Sequence, residues 1–384
     1  METIESKTHK KLTVNDSNFI TRLLRFLIGI RRRSANRSTK MATGTDHKGF
    51  APRGNYYAEK NAKRIDYVSF AHFIVTPKFD EYEMKMDNVR VVGTKLINQT
   101  LIQNLRKANP NIKIVPRFAC SKFTPDIVKM FVQTEWLVQR SAQTIANYCR
   151  EHGFDGVVFD CPTLLSKGIL AEERFFEDIN AVDLYRNMLE TLEQVGNVIR
   201  ANKLIAIFSM ESPVHLISLE SLESEAEIFL LPPQFSHSVM NAYDFVHIWT
   251  DGNSNRPMNH QYSHDRFLEK IMKFFNYSPK LLVGFTFFGH KIPLDEYRKG
   301  GNEKKWELIE YRSYLKVLKK DDAVLTFNEV NKEHELTSEN ANVFIIFPSL
   351  TQLEYRLAHI IQHPGVGIGI WEYGQGLPYF TNLV

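Results

Sequence analysis

Four carboxylates, Asp160, Glu211, Asp251 and Glu372, each follow a short β-forming apolar run, which places them where strands leave a core. Acids converging at such positions suit general acid–base work, in which one group protonates a departing oxygen and another holds hydroxyls or positions its neighbour. Trp371 precedes Glu372 directly. A tryptophan at a strand end offers a flat apolar face to a sugar ring while polar neighbours take the hydroxyls, so Asp160, Asp251, Trp371 and Glu372 form a candidate binding set. Arg117, in the run Pro116-Arg117-Phe118-Ala119, would add a fixed positive charge. His72, His247 and His290 could each titrate near neutral pH, but no H-x-x-x-H or comparable spacing suggests a metal, so neither metal nor cofactor is expected. Cys120, Cys149 and Cys161 are odd in number and lack C-x-x-C spacing, which argues against zinc and against a dense disulfide framework while leaving one bridge open.

The elements that must hold these residues alternate. Gly153 stops a long helical pattern, and Val157, Val158 and Phe159 then form a buried strand that ends at Asp160. Further strands are predicted over 65–75, 111–118, 204–208, 244–249, 281–288 and 366–371. Helices are predicted over 95–106, 125–152, 171–201, 264–275 and 350–362. Buried strands alternating with amphipathic helices imply an α/β fold with a parallel sheet. The place of a first strand, 48–53, holds almost no apolar content, so strand one is expected to be incomplete and the barrel edge open.

The strand around Asp160 resembles the fourth-strand signature of glycoside hydrolase family 18, the chitinases, which reads Asp-Gly-x-Asp-x-Asp-x-Glu. Asp155 and Gly156 fit the opening pair and are its structural signature, and Asp160 fits the last aspartate. Val158 replaces the middle aspartate, and Pro162 stands at the family's catalytic acid. The resemblance implies a TIM (β/α)8 barrel with a small α+β insertion between strands seven and eight, placed at about 304–347, and a Trp371 that floors a sugar site. At the end of strand six, Ile248-Trp249-Thr250-Asp251 keeps an acid and loses the family's tyrosine. With Leu281–Gly289 and Gly365–Leu377, the chain looks closest to the stabilin-interacting, chitinase domain-containing subfamily.

Proline has no proton to give, and general acid catalysis is worth roughly 10²–10⁴-fold. The resemblance therefore implies a non-catalytic protein that binds chitooligosaccharide-type glycans, secreted or lysosomal, with a scavenger-type receptor as a partner. Two rivals stay open, a glycosidase with a displaced acid and a scaffold with a vestigial cleft.

At 384 residues, 43% hydrophobic and 24% charged, the chain suffices for one barrel and additions. The net charge of +4 is concentrated at Arg31, Arg32, Arg33 and Arg37, so no basic groove for nucleic acid is implied. Residues 1–53 read as a basic segment, either a disordered tail or a poor signal or signal-anchor. The patch from Phe19 to Ile30, interrupted by Arg22 and Arg25, is the one stretch suited to a membrane surface. The barrel is assigned to 54–384. Sequons at Asn15, Asn36, Asn98 and Asn276 are glycan acceptors if the chain enters the secretory route, with Asn98 and Asn276 in the folded part.

Overall fold

The computed structural model describes residues 40–43, 51–70, 72–80, 85–120, 123–161, 179–217, 226–229, 231, 233–250, 264–300, 305–329, 332–371 and 373–382. Among the described residues, eight parallel strands close on themselves. In chain order they are β1 (Lys40–Thr43), β2 (Tyr67–Ser69 continued by His72–Phe79), β3 (Lys113–Ile114 continued by Arg117–Ala119), β4 (Gly156–Asp160), β5 (Ile205–Glu211), β6 (Phe245–Trp249), β7 (Leu281–Thr286) and β8 (Gly367–Trp371). Each pairs with the next, and β1 lies between β8 and β2, with Met41 opposite both Gly369 and Tyr67.

This corrects the expected first strand. Residues 51–61 are helical, and the strand is Lys40–Thr43, so the barrel begins near residue 40 rather than 54 and has no open edge there. Four residues containing one large apolar side chain carry no readable alternation. Tertiary pairing makes them a strand, and Met41, 1% exposed, packs inside the barrel against Val115, Val158, Ile207 and Leu282.

The outer layer consists of α1 (Ala51–Asn61), α2 (Gln99–Ala108), α3 (Pro125–Val132), α4 (Glu135–Glu151), α5 (Ile179–Ala201), α6 (Pro233–Ala242), α7 (His264–Phe274) and α8 (Leu350–Ile360). Side chains fix the starts. Asn98 accepts from Leu101 N, Thr124 from Ile127 N with Pro125 following, and Ser349 from Gln352 N. The single helix expected over 125–152 is two, because the α3 ladder ends at Gln133 and the Thr134 hydroxyl donates to Met130 O. The hairpin strand Met86–Val92, antiparallel to β2, lies outside the strands that the sequence predicts. The main core lies between sheet and helices.

Between β7 and β8 sits the expected α+β insertion, larger than 304–347. Its five-stranded sheet already begins at Gly289–Pro293, which pairs with Glu307–Ile309 and Val343–Ile346, while Glu333–Ser338 and Val324–Asn328 complete the order. Glu307–Ile309 is extended, and a helix follows at Tyr311–Leu318. Ile292, Leu294, Trp306, Phe344 and Ile346 give the insertion its own small core, and Arg53 of α1 reaches Glu310 at 2.6 Å.

Candidate functional site

The amino-terminal end of β4 explains the signature pair. A Cβ on Gly156 would lie 2.3 Å from Ile205 O, so only glycine lets β4 and β5 approach. Asp155 Oδ2 accepts from Ile114 N at 2.9 Å and from Arg106 at 3.0 Å. Both residues are structural and sit at the end of the barrel away from Asp160.

At the carboxyl end, where barrels of this kind carry their chemistry, β3 and β4 set Ala119 opposite Asp160. The Asp160 side chain is fully buried and is paired through Oδ2 with both Nε and a terminal nitrogen of Arg117. Oδ1 of Asp160 has no hydrogen-bond partner among the described residues. Burial raises the Asp160 carboxyl above the usual carboxylate range, and the Arg117 charge opposes that shift. One residue beyond each strand, Cys120 and Cys161 form a disulfide that fixes the two strand ends together; Cys149 is free and buried.

Two indoles adjoin the ion pair. The Arg117 guanidinium lies 4.6 Å from the Trp371 ring centroid and 5.5 Å from that of Trp249, and the two rings are 4.8 Å apart. Both tryptophans remain partly exposed. Trp249 Nε1 donates to Ser209 Oγ at 2.9 Å, and Ser209 Oγ lies 3.1 Å from His247 Nδ1. His247 is fully buried, and a Cβ on Gly369 would lie 2.3 Å from its ring, so glycine in β8 makes the room it occupies. Burial pushes His247 down to about 3, so it is a neutral hydrogen-bonding support for the indoles and not the near-neutral titrating group that its residue type suggests.

Glu211 ends β5 opposite Trp249, half-buried. Burial, and then the Asp160 charge, raise its carboxyl. The structure thus brings together Arg117, Asp160, Glu211 and Trp371 from the expected set. Asp251, Glu372 and Pro162 lie outside the described residues. Trp249, Ser209 and His247 are the members that sequence reasoning did not assign to the site, although Trp249 stands at the strand-six end where the family tyrosine is lost. Asn98 and Asn276 are both exposed.

One further cluster lies elsewhere, and it overturns the expectation that the histidines lack metal spacing. His359 and His363 stand four apart and meet Glu269, with one ligand atom of each within 4.8 Å of the others.

The profile of glycosyl hydrolases family 18 matches residues 44–376. Among solved structures, a chitinase from Chromobacterium violaceum is 10% identical with a TM-score of 0.63, covering 90% of this chain and 97% of that one. The spore cortex-lytic enzyme SleL of Bacillus megaterium is 12% identical with a TM-score of 0.65, covering 98% and 85%. A class V chitinase from Nicotiana tobaccum, in a complex with NAG4, is 12% identical with a TM-score of 0.63, covering 90% and 97%. At these identities the structures speak for the fold alone, while the profile spans most of the sequence, and the closed barrel with an insertion before β8 agrees with it: the chain belongs to glycoside hydrolase family 18.

Proposed function

We propose that the chain is a non-catalytic member of its family that binds chitooligosaccharide-type glycans, related to the stabilin-interacting chitinase-like proteins. The observation that carries the reading is the buried Arg117–Asp160 pair beneath Trp371 and Trp249. An aspartate held by a guanidinium is poorly placed to position an N-acetyl group or relay a proton. Pro162, at the family's acid position, supplies no proton. The paired indoles supply ring surface, and the partly exposed Arg117 guanidinium and Glu211 carboxyl supply hydrogen-bond partners, which is what glycan recognition needs without chemistry. The NAG4 complex of the tobacco chitinase supports the ligand class.

The Cys120–Cys161 disulfide supports passage through an oxidising compartment, and a secreted or lysosomal location follows from that reading together with the exposed sequons at Asn98 and Asn276. A scavenger-type receptor is the proposed protein partner by subfamily resemblance.

A titration with chitotetraose alongside a reducing-end assay tests the reading. Binding is expected to perturb indole fluorescence without release of reducing ends, and Trp371→Ala, checked for folding, should weaken binding by about 2 kcal/mol or more. Robust turnover abolished by Asp160→Asn or Glu372→Gln would overturn it. One observation favours a second reading, a glycosidase with a displaced acid: Glu211 sits at the same rim with a raised carboxyl, as a proton donor requires. Turnover lost in Glu211→Gln would select that reading.

A further inference from the structure

Glu269 lies on α7, His359 in the last turn of α8 and His363 just beyond it. His359 Nε2 is 3.2 Å and His363 Nε2 3.5 Å from the same oxygen, Glu269 Oε2. Donors around a tetrahedral zinc ion, at bond lengths of about 2.0–2.2 Å, stand roughly 3.3–3.6 Å apart, so two of the three edges are already near that spacing. The buried Nε2 of His359 has no well-directed hydrogen bond, its approach to Glu269 being off-line.

The surroundings orient the carboxylate. Tyr277 OH donates to Glu269 Oε1 at 2.5 Å, which leaves Oε2 for the imidazoles, and the Tyr277 ring stacks on His363 at 4.6 Å. Asn276 and Tyr277 both have φ of 50°, a conformation that non-glycine residues adopt at a cost and that the packing here must hold. Gly365, at φ of 99°, packs against Pro279, where a Cβ would come within 2.9 Å of the proline ring, so the loops carrying Tyr277 and His363 are fastened to each other. The cluster precedes β7 and β8 and is therefore at the end of the barrel opposite Asp160 and Trp371.

We propose that Glu269, His359 and His363 form a site for a divalent transition cation of the zinc class, which clamps α7 to α8. Two imidazoles and one carboxylate suit Zn²⁺ or Co²⁺ and not the oxygen-seeking Ca²⁺ or Mg²⁺. The side chains are 22%, 25% and 38% exposed for His359, His363 and Glu269, so water completes the shell and the ion enters from solvent. Tyr277 acts as a positioning residue through its bond to the carboxylate.

The full chain, dialysed against chelator and titrated calorimetrically with Zn²⁺ alone, should bind one ion and melt at a higher temperature with it, while Ca²⁺ and Mg²⁺ leave the melt unchanged. Co²⁺ should give the intense visible bands of a four-coordinate ion. His359→Gln/His363→Gln should weaken Zn²⁺ binding by roughly 100-fold or more, and Tyr277→Phe by roughly tenfold. Absence of saturable Zn²⁺ binding in the wild type, or binding unchanged in the double variant, overturns the site. Should circular dichroism show the double variant unfolded, the wild-type Co²⁺ spectrum and Tyr277→Phe decide, and a six-coordinate spectrum or unaltered affinity overturns the proposal.

Discussion

Asp160 and Arg117 were readable as a strand-end acid and a nearby charge, because a β-run that stops at a polar residue marks the exit from the core. Their pairing was not, since it depends on β3 and β4 being neighbours in register. Removing one partner from a buried pair leaves the other charge uncompensated. Arg117→Met should therefore destabilise the protein by about 3–5 kcal/mol in urea titrations, and Arg117→Met/Asp160→Leu should recover most of that. Equal stability of wild type and Arg117→Met would show the pair to be solvated. His247 carries a pH dependence of definite sign. Its folded-state value is depressed from 6.5 to about 3, so between these the unfolded chain binds more protons. The contribution is whole above pH 6.5 and is lost as pH falls toward 3, at most about 5 kcal/mol. Stability measured from pH 7 to 4 should fall less steeply in His247→Gln than in wild type, and matching slopes would remove His247 as the cause. Nothing local in the sequence signals its burial, which is created by Gly369 on another strand.

Helices of the α/β repeat were legible from recurring apolar positions, and strands wherever consecutive β-forming apolar residues stood between turn signals, as in β4, β5 and β7. The break between α3 and α4 was hidden because both helices share apolar spacing, and it comes where the Thr134 backbone leaves the helical region, at φ −123° and ψ 86°, with its hydroxyl donating to Met130 O. The Cys120–Cys161 bridge was left open by cysteine count, since pairing follows from the adjacency of β3 and β4. It closes a loop of sequence separation 41, for which the chain-entropy account gives about 4 kcal/mol. Cys120→Ser/Cys161→Ser should lower the thermal midpoint, and it should also reduce affinity at the proposed glycan site, because the bridge holds the rim beside Asp160. A melt unchanged by the double substitution or by reductant would show that the strand pairing alone holds the rim.

At the scale of the molecule, the barrel and its insertion were legible from alternation and resemblance, while closure was not, because Lys40–Thr43 has too few residues to announce a strand. Its weight should nonetheless be global. A chain shortened to begin at Gly44 loses Met41 from the barrel interior and both pairings of β1. Its denaturant transition should shift to lower concentration and broaden, as the exposed edges of β2 and β8 loosen; a transition superimposable on that of the full chain would show β1 to be dispensable. The same strand bears on biosynthesis. Lys40 is opposite Ile368, so one side of β1 meets its mate only after Ile368 has left the ribosome. At about 5–20 residues per second that wait lasts some tens of seconds, during which a nascent β-edge is open to holding factors or to the wrong partner.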